Sequence, residues 1–313
     1  MKISSIGGEM NLIERIKGIA KRKEVLLGQG DDAAIINAGK KEVLLTIDSL
    51  VEGSHFSSWF SAKQIGMKAM EVNASDIAAM GGKPLYALAS VTLTKNSSVE
   101  FVEELYKGIK AVGRKYWIDV IGGDFVKGNE RSITIAMIGE RRKGLRCRRS
   151  DARIGDYIMV SGSLGASTAG LNLFLKKIKG FNSVKKKHLE PKAQLKKALK
   201  IAPFANAMED VSDGLASEVK NICSLSKCGA VIFAEKIPVS KKTRKAAKKM
   251  RMNALDFALF GGEDFELVFT VNKKNLSKVK GIIVGKIIRE KKIYLEEKGK
   301  KELLRRRGYD HFA

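Results

Sequence analysis

The chain of 313 residues has only three cysteines, Cys147, Cys223 and Cys228, an odd number without C-x-x-C spacing. That argues against a disulfide framework and a zinc site, and a reducing compartment is the simplest expectation. No apolar run approaches 18 residues, and the opening MKISSIGGEMNLIERIKG has no apolar core followed by a small-residue cleavage motif. Neither a membrane span nor an export signal is therefore expected, which points to a soluble cytoplasmic protein. Low-complexity linkers and solenoid-period repeats are missing. So are the P-loop pattern G-x-x-x-x-G-K-S/T, the protein-kinase motif set and EF-hand spacing. Acids are scarce as well: Asp and Glu total 34 against 59 Lys and Arg, a formal charge of +25.

Much of the positive charge lies in stretches such as Lys185 to Lys187, Lys241 to Arg251 and Arg305 to Arg307, which read as solvated helix faces and tails. A basic surface can bind phosphate backbones in a salt-dependent way. Without an aromatic stacking strip, zinc-finger spacing or a recognition motif, nucleic acid is not the expected ligand. The motifs do not account for the charge.

With 44% hydrophobic residues the chain can bury a substantial core, in two domains or one large one. Strand and helix patterns alternate throughout. NLIERIKGIAKR has helical apolar spacing, AAIIN and EVLLTID read as strands, the second ending at Asp48, and AKQIGMKAMEVNASDIAAM reads as a helix stopped by Gly81 and Gly82. IDVIGGD reads as a buried strand running into a glycine turn. A first unit closes near residue 146, and DYIMVSG opens a second of similar size. An α+β protein with domains over 1–146 and 147–313 is expected.

Against the basic background, acids recur beside glycine turns. GQGDDAAII places Asp31 and Asp32 before a strand, Asp124 follows Gly122 and Gly123, Asp210 and Asp213 flank a turn, and Glu263 and Asp264 follow Gly261 and Gly262. Asn73 and Asp76 share a helix face. If such carboxylates converge, each pair at about 4 Å repels by roughly 4 kcal/mol at an effective dielectric near 20, so cations are needed to hold them. Oxygen-only ligands select hard ions, and magnesium bound with phosphates implies nucleotide chemistry. The other reading is that Gly and Asp merely shape loops.

GQGDDAAII, LLTIDSLVEGSHF, VNASDIAAMGGKP, VIGGD, VSGSLGASTAGL, MEDVSDGLASE, FGGEDFELVFTV and the terminal GYDHF, in this order, resemble the thiamine-monophosphate kinase family. The resemblance spans nearly the whole chain. It implies the two-domain fold of aminoimidazole ribonucleotide synthetase, with an N-terminal sheet that pairs with a second subunit in a barrel, hence a homodimer. It also implies ATP- and magnesium-dependent phosphorylation of thiamine monophosphate to thiamine diphosphate. Residue by residue, it makes Asp32, Asp48, Asp76, Asp124, Asp210 and Asp213 magnesium ligands, with Thr46 and the Ile47 carbonyl as further candidates. Gly123, Asp124, Arg149 and Ser212 would contact ATP, and His55, Glu263 and Tyr309 would face thiamine monophosphate. No side chain is expected to act as acid or base; His55 would orient the substrate.

Each residue also has a plainer reading. Asp31 suits a turn-shaping role, Asp213 could cap the next helix, and His55 could be a loop histidine. Tyr309 could anchor a tail, and Arg149 could be one solvated base in RCRRS. His188 and the cysteines read as structural or surface residues. The chain departs from the family pattern at Phe125, where a small hydroxyl residue is usual, at Ile47, where threonine is common, and at Gln29. Two other functions compete. A sister synthetase or dehydratase of the same fold is disfavoured by the lack of a glycine-rich N-terminal segment with a reactive cysteine, and of a terminal cysteine. A basic nucleic-acid-binding protein is the other.

Overall fold

The structure is a computed structural model that describes residues 22–306, 308 and 309. The helix expected in NLIERIKGIAKR, Arg307 of the basic tail and the DHF of GYDHF lie outside the described residues, apart from Arg22. The N-terminal half contains strands β1 (Val25–Leu27), β2 (Ala34–Ala38), β3 (Lys41–Val51), β4 (Lys83–Leu93), β5 (Asp119–Lys127) and β6 (Ser132–Arg142). They form one sheet in the order β1-β2-β3-β6-β4-β5, antiparallel except for the β4–β5 pair. Helices α1 (Ala62–Ala79) and α2 (Val99–Tyr116) supply the crossovers. Period-two alternation in β6 buries Ile133, Ile135 and Met137 on the helix side and turns Thr134, Ala136 and Ile138 outward. Gly66 of α1 and Gly108 of α2 let the helices touch, since a Cβ on either would meet the other's carbonyl oxygen at 2.1 or 2.0 Å.

Asp48 does not end its strand: β3 runs on to Val51, because Leu50 supplies another inward apolar residue. The IDVIGGD strand is not buried and Gly122–Gly123 is no turn; both glycines lie within β5, an exposed edge strand. Gly123 is required there because a Cβ would come within 1.9 Å of the Ala89 carbonyl oxygen on β4.

The C-terminal half adds β7 (Tyr157–Val160), β8 (Met208–Asp210), β9 (Gly229–Phe233), β10 (Leu267–Val271), β11 (Ile282–Ile288), β12 (Ile293–Glu297) and β13 (Lys300–Leu303). Their order is β13-β12-β9-β11-β7-β10-β8, with β9 and β12 the parallel pair. Helices α3 (Ala166–Leu175), α4 (Asn182–Leu189), α5 (Leu195–Ile201), α6 (Leu215–Leu225), α7 (Lys241–Met250) and α8 (Ala254–Phe260) complete this half. The basic helix α7 buries Thr243, Ala246, Ala247 and Met250 and leaves most of its lysines in solvent. All three cysteines are buried and free. Among the described residues no helix is long and apolar enough to cross a membrane.

Helix α1 joins the halves. Ser61 and Gln64 form a capping box at its start, and Gly81, at φ +72°, ends it in a left-handed turn whose N–H reaches the Ala78 carbonyl. Its residues 64, 68, 71 and 75, at helical spacing, form a polar stripe toward the second half. Gln64 donates to Glu190 at 3.1 Å, Lys68 pairs with Glu263 at 2.5 Å, Glu71 accepts from the Ala193 N–H at 2.8 Å, and Ser75 donates to Asp210 at 2.5 Å. The apolar core is continuous across this seam: Ile77 and Met80 share one cluster with Ile201, Met208 and Phe269.

Candidate active site

Three elements bring the acids together. The GQGDD turn enters β2 with Asp32, α1 points Asp76 at β3, and β8 ends in Asp210; carboxylate oxygens of these three lie within 4.8 Å of one another. Thr46 on β3 donates to Asp76 at 2.5 Å, and Asp48, two residues on and so on the same face, lies close enough to Asp76 for the two carboxyls to interact. Arg149 closes the other side. Its guanidinium pairs with Asp32 at 2.6 Å and Glu209 at 2.7 Å, while its N–H donates to Asp31 at 3.0 Å. Asp31 also accepts from the N–H of Asp32 within its own turn. Glu218 on α6 receives the N–H groups of Ser212 and Asp213 at 3.1 and 2.7 Å. The N-cap of α6 is Gly214, not Asp213.

Burial and mutual repulsion dominate the electrostatics. Burial pushes up the pKa of Asp32 and Asp48, with Arg149 opposing the rise at Asp32. Asp76 is driven well above the carboxylate range by burial and then by Asp48, Asp210 and Asp32. Asp210 and Glu209 are raised in the same way, and Asp31 reaches about 7, burial and Asp32 outweighing Arg149. Burial alone would lower the Arg149 pKa, but Asp32, Glu209 and Asp31 hold it well above its ordinary value. The Asp32 Oδ2 and Glu209 Oε2 atoms are buried without a hydrogen-bond partner. Orphaned carboxylate oxygens at an all-oxygen, under-neutralised cluster are what magnesium requires, so the residues present fit that ion.

The other residues singled out in the sequence fall in two places. On the outer face of the N-terminal sheet, Asp124 stands in register with Ser90, Thr134 and Ser49, one row from Asp48, which faces α1. Ile47, Gly123 and Asp124 line a shallow groove of about 300 Å³ there. The structure therefore does not bring Asp124 into the Asp32–Asp76–Asp210 cluster of the same chain. Phe125 points the opposite way and packs against Tyr106, with ring centroids 5.9 Å apart, and Gln29 is exposed in its turn. Asn73 turns back to donate to the Ala69 carbonyl.

At the second place, Glu263 docks its N–H on the Ser212 carbonyl at 2.7 Å and Tyr309 its N–H on the Asp213 carbonyl at 3.1 Å. His55 accepts the Val51 N–H on Nδ1, which leaves the proton on Nε2. Glu263 is held ionised, with a pKa near 2: Lys68 and His188 overcome the burial that would raise it.

Two family models match: AIR synthase related protein, N-terminal domain, over residues 30–140, and AIR synthase related protein, C-terminal domain, over residues 153–294. The thiamine-monophosphate kinase of Buchnera aphidicola subsp. Acyrthosiphon pisum is 36% identical, across 97% of this chain and 98% of that one. A solved structure described as AaThiL complexed with AMPPCP and TMP superposes with a TM-score of 0.90 at 34% identity, covering 100% of this chain and 99% of that one. The crystal structure of the Aquifex aeolicus enzyme gives 0.83 at 33% identity, covering 96% and 99%. The chain belongs to the thiamine-monophosphate kinase family. As a thiamine-monophosphate kinase family member it has the two-domain α+β fold of the AIR synthase related proteins.

In this member of the thiamine-monophosphate kinase family, four residues that contact the two groups of acids escape sequence reasoning: Glu209, Glu218, Lys68 and His188. Glu209 hides inside a strand and Glu218 inside an amphipathic helix. The signal for Lys68 was the spacing of Gln64, Lys68, Glu71 and Ser75 in a helix otherwise rich in apolar residues. His188 carries no local signal, because its partner lies 75 residues away.

Proposed function

We propose that this protein transfers the γ-phosphoryl group of ATP to thiamine monophosphate, with magnesium, giving thiamine diphosphate and ADP. The observation that carries the reading is the buried cluster of Asp32, Asp76 and Asp210 at the junction of the two halves, on a chain of this family. A phosphate oxygen of thiamine monophosphate attacks the γ-phosphorus; the bond to the β,γ-bridging oxygen breaks and its electron pair leaves with ADP. Magnesium held in that cluster would supply charge neutralisation and Lewis-acid polarisation for phosphoryl transfer. Asp32, Asp48, Asp76 and Asp210 would hold it, with Asp213, Thr46 and the Ile47 carbonyl as further ligands.

Gly123, Arg149 and Ser212 are assigned to ATP, Arg149 while it also fastens the GQGDD turn to β8 through Asp32 and Glu209. His55, Glu263 and Tyr309 are assigned to thiamine monophosphate. A phosphate monoester is already largely ionised near pH 7, so no general base is required, and His55 orients the acceptor. The domain division is placed at 146/147, in the segment between β6 and β7.

The outer face of the N-terminal sheet, with Ile47, Tyr86, Leu88 and Ile121 exposed, is assigned to a homodimer. There Gly123 and Asp124 would lie at the seam between copies. Sedimentation should show a dimer, and Leu88→Glu with Ile121→Glu a monomer.

The decisive experiment mixes the protein with γ-labelled ATP, magnesium and thiamine monophosphate. Label is expected in the terminal phosphate of thiamine diphosphate. ADP formed without transfer, or label transferred when unphosphorylated thiamine replaces thiamine monophosphate, would overturn the acceptor.

A further inference from the structure

Lys68 is the largest of the side chains that α1 buries completely, and an ammonium leaves water only where its partners are fixed. Those partners come from both halves of the molecule. Its Nζ donates to the His55 carbonyl oxygen at 2.8 Å and pairs with Glu263 Oε1 at 2.5 Å, and it stands over the Phe60 ring, 5.3 Å from the centroid. Of its three N–H donors two meet oxygen acceptors, and the Phe60 face adds a cation–π contact, so three neighbours hold the ammonium. Two of them, His55 and Glu263, are residues assigned above to thiamine monophosphate.

Glu263 is constrained from its other side as well. His188 Nδ1 lies 3.2 Å from Glu263 Oε2, and since an ionised carboxylate only accepts, Nδ1 carries the proton. Ser167 Oγ sits 3.2 Å from the same nitrogen. The ring of His188 is flanked by Phe60 edge-on at 5.4 Å and by Phe174 at 6.5 Å, which keeps the imidazole in one orientation. Glu263 itself has φ +64° and Phe265 φ +49°, backbone states that L-residues keep only where the surroundings impose them. Yet 26% of the Glu263 side chain remains exposed, so lone pairs are left for a ligand. Trp59, stacked on Phe174 at 5.4 Å and 3°, adds an aromatic surface nearby. A fixed anion beside aromatic faces suits a cationic heteroaromatic ring, which the thiazolium of thiamine is.

We infer that Lys68 is a positioning residue for thiamine monophosphate: it fixes Glu263 and the His55 carbonyl as one unit across the two halves, with His188 the second bracket on Glu263. This rests on the substrate reading above. A lysine that merely stapled the halves together would affect ATP and thiamine monophosphate alike; a positioning lysine affects one of them and acts through Glu263.

The test uses the full chain, with calorimetric binding of thiamine monophosphate in magnesium without ATP, and steady-state kinetics for both substrates. Lys68→Met should weaken thiamine monophosphate binding, and raise its KM, at least tenfold, while the KM for ATP stays within twofold. In a Glu263→Gln background the same substitution should add less than threefold. His188→Gln should raise the KM for thiamine monophosphate about threefold with ATP unaffected, and it decides the matter if Lys68→Met does not fold. Unchanged binding in a folded Lys68→Met, parallel loss of both substrates, or a full tenfold effect without Glu263 would overturn the inference, as would an unchanged KM in His188→Gln where that variant decides. A wild type that binds thiamine monophosphate without phosphorylating it would sink the kinase reading and leave the Lys68 test standing. A wild type that phosphorylates it while Lys68→Met binds normally would sink only the role of Lys68.

Discussion

The two acid sites, both at the seam between the halves, are built on opposite principles. In the cluster around Asp76, carboxyls from the GQGDD turn, β3, α1, β8 and α6 outnumber their cations, Arg149 included, and their pKa values rise. At Glu263 a single carboxylate is matched by Lys68 and His188, and its pKa falls to about 2. The first site is incomplete by itself, and in the proposed reading magnesium would complete it. The second is finished in the folded chain and presents a preorganised charge. Excess charge of one sign thus marks where ligand must supply the balance.

Removing Arg149 should break the first site most severely. Arg149→Met leaves Asp32 and Glu209 buried beside other acids without their guanidinium, a loss of about 3–5 kcal/mol expected for a broken buried pair. Denaturant unfolding in a chelator should show it, and magnesium should restore part of the loss.

For the wild type, saturating magnesium should stabilise the fold by about 2.7 kcal/mol at a hundredfold excess over Kd. A thermal shift that fails to rise with magnesium would remove the cluster as a metal site. Next comes Asp48→Asn, close in shape but without charge. Metal affinity and rate should fall together at least tenfold, about 1.4 kcal/mol or more in the barrier, with the fold intact. An unchanged rate and magnesium dependence would take Asp48 out of the site.

The effect at the balanced site is read through pH and has a defined sign. Because the folded pKa of Glu263, near 2, lies below its ordinary 4.5, its ion pairs stabilise the fold fully above pH 4.5. That contribution is lost as pH falls toward 2. The melting temperature of Glu263→Gln should therefore lie below that of the wild type at neutral pH and approach it below pH 4.5, with or without magnesium. A gap that stays constant to low pH would mean that Glu263 contributes by shape, not charge.

Much of this was legible in the linear chain. Local signals act over a few residues, so the glycine pair ending α1, the alternation of β6 and the acids beside glycine turns could all be read directly. Asp32 and Asp210 stand out because each breaks a basic background next to a turn, and Asp76 because it shares a helix face with Asn73. Glu209 and His188 do not, since a strand interior and a lysine-rich helix look the same whether or not a partner waits across the seam. The two glycines of β5 misled for a related reason. A glycine pair usually marks a turn, and only the close approach of the Ala89 carbonyl shows why it sits inside a strand.

Residue identity and short spacing were enough for most helices and strands, for several acids beside turns and for the family. Tertiary structure alone decided which acids share a site and which face Asp124 takes, since strand register places Asp48 toward α1 and Asp124 outward. It also decided that Lys68, one lysine among many, is buried against Glu263. The physical reason is range: a pKa shift or an ion pair is set by atoms a few ångströms away, and for Lys68 and Glu263 those few ångströms span 195 residues of chain.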